Sequence, residues 1–346
     1  MHLAGIGIMA AQQDDWVKYF LEGNMGAETL KACFADSFSI FGEKKAIRFI
    51  RKGGVETEIS YLELDRDSNR LANTFLELGV HKGDRVILYL QKSLIFVAAY
   101  LGLQKTGAIA VPLNPGFKKS EMSYLVDDAD AKLVLAGSEQ ETIIKEIDPV
   151  LKTIVVNAER PYQDLDFFRS ASDVMPDLKV DPEDAGLIIY TSGTTGKPKG
   201  AMLTQKNLVH DARHIIKIWE ITESDVLCHA LPLFHVHGLC FALHTALMAG
   251  SRVLMLNEFS PDTVTEALSK KEAEYTCTLF MAVPSMYGKL MDYLEGKNLD
   301  FQHMRLWTSG SAPLLIKDFE RIKKLLGKEP VEREGMSETG RLCAYS

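Results

Sequence analysis

The sequence lacks a Cys-x-x-Cys pair, an excess of basic residues and an apolar run long enough to cross a bilayer. Each absence excludes a class of protein. Cys33, Cys228, Cys240, Cys277 and Cys343 are scattered and odd in number. They suit reduced, buried thiols in a cytoplasmic protein better than a disulfide framework or a structural zinc site. A formal net charge of -8 and an isoelectric point near 5.7 argue against nucleic acid, which would need a basic face. The N-terminal apolar run has no Lys or Arg before it, unlike a signal peptide. The longest apolar stretch, 238–250, is too short for a transmembrane segment and contains His244. What remains is a chain of 346 residues, 46% hydrophobic and 25% charged, able to bury a large core and long enough for two subdomains.

Apolar runs of strand length alternate with segments of helical period. Strands are expected at 85–90, 108–112, 226–228, 252–256, 275–280 and 304–307, with helices at 94–105, around 241–248, and at 261–271, 284–294 and 314–326. Continuous apolar strands and prolines at helix starts predict an α/β fold with mainly parallel sheets flanked by helices, and ligand loops at the carboxyl ends of the strands. The polar, proline-interrupted stretch 170–183 suggests a boundary, giving subdomains 1–175 and 176–346.

Between these elements lies YTSGTTGKPKG, Tyr190 to Gly200. Its glycines allow an anion close to the backbone, its hydroxyls and amides donate hydrogen bonds, and Lys197 and Lys199 add positive charge. It is not the ordinary P-loop, because Pro198 follows Gly196-Lys197 where Ser or Thr is needed, and Thr191 stands where that motif has its first glycine. Phosphate binding and a solvated Gly/Thr turn both fit the composition; the density of donors favours the first.

The stretch YTSGTTGKPKGAMLTQKNL resembles the signature loop of adenylate-forming enzymes, the acyl-CoA synthetases, luciferases and peptide-synthetase adenylation domains. The resemblance runs in order through GAIAVPLNP (107–115), LPLFHVHGL (231–239), TSGSAPL (308–314) and EREGMSET (332–339). It implies the N-terminal domain of the adenylate-forming fold, as two stacked subdomains. The implied enzyme is a carboxylic acid:CoA ligase that activates an acid with ATP and Mg²⁺ to an acyl-adenylate and passes the acyl group to coenzyme A. By the same resemblance Thr191, Ser192, Gly193, Thr194, Thr195, Gly196, Lys197 and Lys199 hold the phosphates. Gly310, Ser311, Ala312, Glu334, Gly335, Met336 and Ser337 complete the nucleotide site, with Lys199, Ser337, Glu338 and His235 catalytic and Glu338 the Mg²⁺ ligand. His235, Val236, Gly238, Arg305 and Ser311 line the acid's side, His235 as an aromatic gate.

Motif wording is nearest the malonyl-CoA synthetase branch, where a basic residue at the Arg305 position can pair with a second carboxylate; a structural arginine is the competing reading, and malonate-like and fatty acids both stay open. His235 and His237 lack the further ligands of a zinc site, and His210 and His214 lack an intervening glutamate, so neither pair reads as metal-binding. Two features depart from the family. Glu334 stands where the family has the tyrosine that stacks on adenine, and the sequence stops at Ser346, before the family's ribose-binding aspartate and C-terminal catalytic lysine. The expectation is an N-terminal portion with impaired or no activity, or else a non-catalytic remnant that binds nucleotide or a partner.

Overall fold

The computed structural model describes residues 16–21, 27–157, 160–191, 197–336 and 341–345. Its strands are β1 (Lys45–Arg51), β2 (Gly54–Ser60), β3 (Arg85–Tyr89), β4 (Ile109–Pro112), β5 (Ala131–Ala136), β6 (Thr153–Val155), β7 (Ala185–Thr191), β8 (Lys199–Thr204), β9 (Val226–His229), β10 (Arg252–Leu256), β11 (Leu279–Ala282), β12 (Leu306–Gly310), β13 (Val331–Met336) and β14 (Arg341–Tyr345). They form two sheets, ordered β6-β5-β3-β4-β7-β8 and β14-β13-β12-β11-β9-β10-β1-β2. Pairing is parallel throughout except for the antiparallel pairs β1–β2, β7–β8 and β13–β14. This is the expected α/β architecture of mainly parallel sheets.

Strand membership does not follow a cut at 175/176. β7 and β8 complete the six-stranded sheet of the first half, while β1 pairs with β10 and joins the larger sheet. Hydrogen bonding to the nearest open sheet edge, not chain order, decides where these hairpins go.

The helix Leu94–Thr106 explains its own sequence, LIFVAAYLGLQKT. All of its residues are buried, so it is apolar on every side, as a helix enclosed on all faces must be. Its one charge, Lys105, is 1% exposed and is fully satisfied by Asp65, Ser68 and Asn69, with Nζ–O distances of 2.6 to 3.1 Å. Gln104 donates to the Gly186 carbonyl and accepts from Gln205, whose own oxygen accepts from Leu30. This amide relay ties β7 and the helix Gln205–Ile218 to the N-terminal helix Leu30–Phe41.

Two expectations shift. The fifth expected strand sits at 279–282 instead of 275–280, because Glu272 takes the 275 and 276 amides into a turn. The stretch 304–307 is only the start of a strand that continues through Gly310, into the TSGSAPL segment.

Candidate active site

The Tyr190–Gly200 stretch is the connection of a β-hairpin: Tyr190 pairs with Gly200 and Thr191 with Lys199. The helix that follows begins only at Gln205, capped by Thr204, whose side chain accepts from the Asn207 amide. The strand Lys199–Thr204 thus separates this helix N-terminus from the stretch that precedes it. Ser192 to Gly196 lie outside the described residues, as do Ser337 and Glu338.

At the carboxyl ends of the strands a cavity of about 990 Å³ opens beside this hairpin. Thr191, His235, Val236, Gly238, Ser311 and Gly335 of the expected site residues line it. The backbone at its floor is unusual. Residues His237–His244 form a π-helix that continues into the α-helix Thr245–Met248, a wide turn type enriched at functional sites. A β-carbon on Gly238 would lie 2.1 Å from the Pro232 carbonyl oxygen, so this close approach requires glycine. The imidazole Nε2 of His229, on β9, lies 2.8 Å from the Gly238 oxygen and anchors the start of the π-helix to the sheet. Ser311 has φ +69°, a left-handed conformation costly for a non-glycine residue, and its Oγ lies 3.1 Å from His237 Nδ1.

Burial sets the charge of these histidines. Desolvation lowers the His235 pKa and pushes His237 well below its ordinary value, with nearby Arg333 adding to the effect on His237. Burial, then the Lys92 ammonium, brings His229 down to about 3. All three are neutral at pH 7. His235 stands on the cavity wall with its ring 4.5 Å from that of Phe234, which suits an aromatic partition more than proton transfer.

Arg333 is the residue the sequence reading passed over. On β13 it is 4% exposed, lines the cavity, and lies across Gly310, where a β-carbon would meet its Cγ at 2.6 Å. Its guanidinium stands 4.7 Å from the Phe241 ring centroid. Its Nε and Nη2 are buried with no partner among the described residues. Desolvation without a counter-ion lowers its pKa to about 9. A buried, unpaired guanidinium is costly, and one facing a cavity is built to receive an anion.

Arg305 does not belong to this site. Its Nε and Nη2 make a bidentate pair with Asp225 at 3.1 and 2.7 Å, and Nη1 donates to the Trp219 carbonyl at 2.8 Å. It precedes β12, at the amino end of a parallel strand whose carboxyl end meets the cavity, about 16 Å further along at ~3.3 Å per residue. Of the two readings left open for Arg305, these contacts favour the structural one. Lys197, Lys199, Gly310 and Ala312 are also off the cavity wall, although Gly310 supports Arg333 and Lys199 pairs with Thr191. Glu334 and Met336 take part in the β13–β14 ladder, opposite Cys343 and Arg341.

The AMP-binding enzyme family profile matches residues 34–346. The chain belongs to the AMP-binding enzyme family. It is 33% identical to a mitochondrial malonate–CoA ligase of Bos taurus over 87% of this chain and 53% of that protein. It is 29% identical to an oxalate–CoA ligase of Arabidopsis thaliana over 92% of this chain and 63% of that protein. Among solved structures, ATP-bound MatB of Rhodopseudomonas palustris superposes with a TM-score of 0.80 at 31% identity, over 92% of this chain and 62% of MatB. The chain thus spans about half the length of the bovine relative. Among the described residues, no helix is long and apolar enough to cross a membrane.

Proposed function

We propose that this chain is the ATP- and acid-binding part of a carboxylic acid:CoA ligase whose acid bears a second carboxylate. The observation that carries the reading is Arg333, buried on the wall of the cavity with Nε and Nη2 unpartnered among the described residues. A short diacid would set one carboxylate against this guanidinium, over Phe241. The other then faces the hairpin end of the cavity, where Thr191 stands. Lys199 and the Gly/Ser/Thr connection would hold the ATP phosphates. The free carboxylate oxygen attacks the α-phosphorus, pyrophosphate leaves, and the acyl-adenylate forms. In the second half-reaction the CoA thiol attacks the acyl carbonyl and AMP departs, with neutral His235 closing the acid's compartment. Mg²⁺, when bound, would neutralise phosphate charge. Among the described residues no three His, Cys, Asp or Glu side chains are grouped to hold a metal ion, and no step here is assigned to one. The free, buried Cys33, Cys228, Cys240 and Cys277 suit a reducing compartment, the cytoplasm expected here or the mitochondrion named for the bovine relative.

The malonate and oxalate ligases among the relatives act on diacids by their names, which supports the same substrate class. Calorimetric titration of the chain with malonate and with butyrate, for the parent and for Arg333→Gln, tests it. The expected loss is about 1.5–3 kcal/mol for malonate and little for butyrate, since a charge-assisted hydrogen-bonded pair disappears only for the diacid. Equal losses for both acids would return Arg333 to a packing role and leave a plain fatty acid as the substrate.

A further inference from the structure

The two ends of the phosphate-loop hairpin are tied to one carboxylate. On the β7 side the Tyr190 hydroxyl donates to Asp128 Oδ2 at 2.7 Å. On the β8 side the Pro198 carbonyl oxygen lies 3.1 Å from the Tyr124 hydroxyl, which is also 3.0 Å from Asp128 Oδ1. A phenol has one proton, so Tyr124 shares it between the carbonyl and the carboxylate. The Lys197 ammonium stands 5.3 Å from the Tyr124 ring centroid, completing the contact on that side. Tyr124 and Asp128 are four residues apart on the helix Lys119–Ala129 and so share one of its faces. Burial, and then the hydrogen bond to Asp128, raise the Tyr190 pKa, so this phenol remains a donor at neutral pH.

We propose that Tyr124, Asp128 and Tyr190 form a clamp that positions the hairpin for ATP, with Asp128 as its positioning residue. The inference rests on the reading of the hairpin as the phosphate loop. Its sign separates it from simple electrostatics. A carboxylate beside a triphosphate site repels the ligand, so by charge alone its removal should tighten ATP. A clamp predicts the opposite, because the loop must then be ordered by the ligand itself.

The test is calorimetric titration of the 346-residue chain with ATP and with pyrophosphate. Asp128→Ala should weaken both about fivefold, the equivalent of one lost hydrogen bond, and Tyr190→Phe by a similar factor or less. The double variant should be no weaker than Asp128→Ala, since one interaction is removed twice. Asp128→Asn keeps an acceptor oxygen for Tyr190 and should recover most of the affinity. Malonate binding should not change in Asp128→Ala or Asp128→Asn. Asp128→Ala or Tyr190→Phe binding pyrophosphate as tightly as the parent, or an additive double variant, overturns the clamp. Lys199→Gln separates the two levels. If it leaves ATP binding intact, the phosphate-loop reading itself fails; if it weakens ATP while Asp128→Ala does not, only the clamp fails.

Discussion

Arg305, just before β12, and Arg333, on the neighbouring β13, meet opposite fates. Arg305, at the amino end of β12, spends its donors on Asp225, Trp219 and Glu220. Asp225 is 3% exposed and also accepts from Thr278 Oγ1 and the Thr222 amide, so the arginine closes a complete network. Arg333, on β13 beside the carboxyl end of β12, is nearly as buried as Asp225 yet among the described residues meets an aromatic face and a cavity, with no partner for Nε or Nη2. Satisfied charge at the amino end of the sheet builds the fold, whereas the proposal for the carboxyl end is that Arg333 takes its partner from a ligand. The difference follows from parallel topology, which gathers loops and open space at one end.

The largest effect should come from breaking the satisfied end. Arg305→Ala leaves the Asp225 carboxylate buried without its cation, and should cost about 2–4 kcal/mol of stability, less than a fully enclosed pair because the arginine is 37% exposed. Urea denaturation measures the loss, and malonate affinity of the folded variant should be unchanged. A stable Arg305→Ala chain that has lost malonate would move the acid-binding group back to Arg305.

This pair also shows what was legible beforehand. The apolar runs named six of the fourteen described strands, all of them in parallel pairs, because a strand buried on both faces leaves little ambiguity in its composition. The site motifs were legible as sequence, and six of their residues do line one cavity. Arg305 stayed between two readings in the sequence because a residue just before a parallel strand lies at its amino end, away from the ligand crevice, a rule that needs the strand's start to be known. Alternation along β13 puts Arg333 on the side away from Glu334, and only the third dimension shows that Arg333 faces the cavity. The β8 strand, KGAMLT, was hidden by the loop it follows. No periodicity in six residues reveals an antiparallel return.

A second contrast is with His244, which is buried without hydrogen-bond partners among the described residues and is not part of the wall of the 990 Å³ cavity. Both of its ring nitrogens are unpartnered; it stacks on Tyr100 with ring centroids 5.4 Å apart, and burial lowers its pKa to about 3. His229 is lowered to about 3 as well. Since the unfolded chain takes up these protons near pH 6.5 and the folded chain does not, stability is full above pH 6.5 and falls as pH drops toward 3. The slope is about 1 kcal/mol per pH unit for each histidine. Urea midpoints at pH 7, 6 and 5 should show it, and His244→Phe should flatten the slope by about 1 kcal/mol per pH unit while keeping the stack. A slope that His244→Phe leaves unchanged would assign the acid sensitivity to other groups.

The smallest effect is the most diagnostic. If Arg333 is held unsatisfied for a ligand, the empty protein bears the cost of its desolvation, and an apolar side chain of similar length should relieve it. Arg333→Met keeps a flexible stem across Gly310 and against Phe241, so no large void opens. Replacement of a buried charge by a fitting apolar group is commonly neutral or stabilising, and with no ion pair lost the expected gain here is about 1 kcal/mol. The same substitution in a satisfied network would destabilise, as at Arg305. Malonate should reverse the order of the two proteins: the parent gains stability with ligand concentration as binding to the native state requires, and Arg333→Met does not. Thermal denaturation of both, with and without malonate, reads all four values. An Arg333→Met chain that is clearly less stable than the parent without ligand would mean that the guanidinium is already satisfied, and that the cavity is not waiting for an anion.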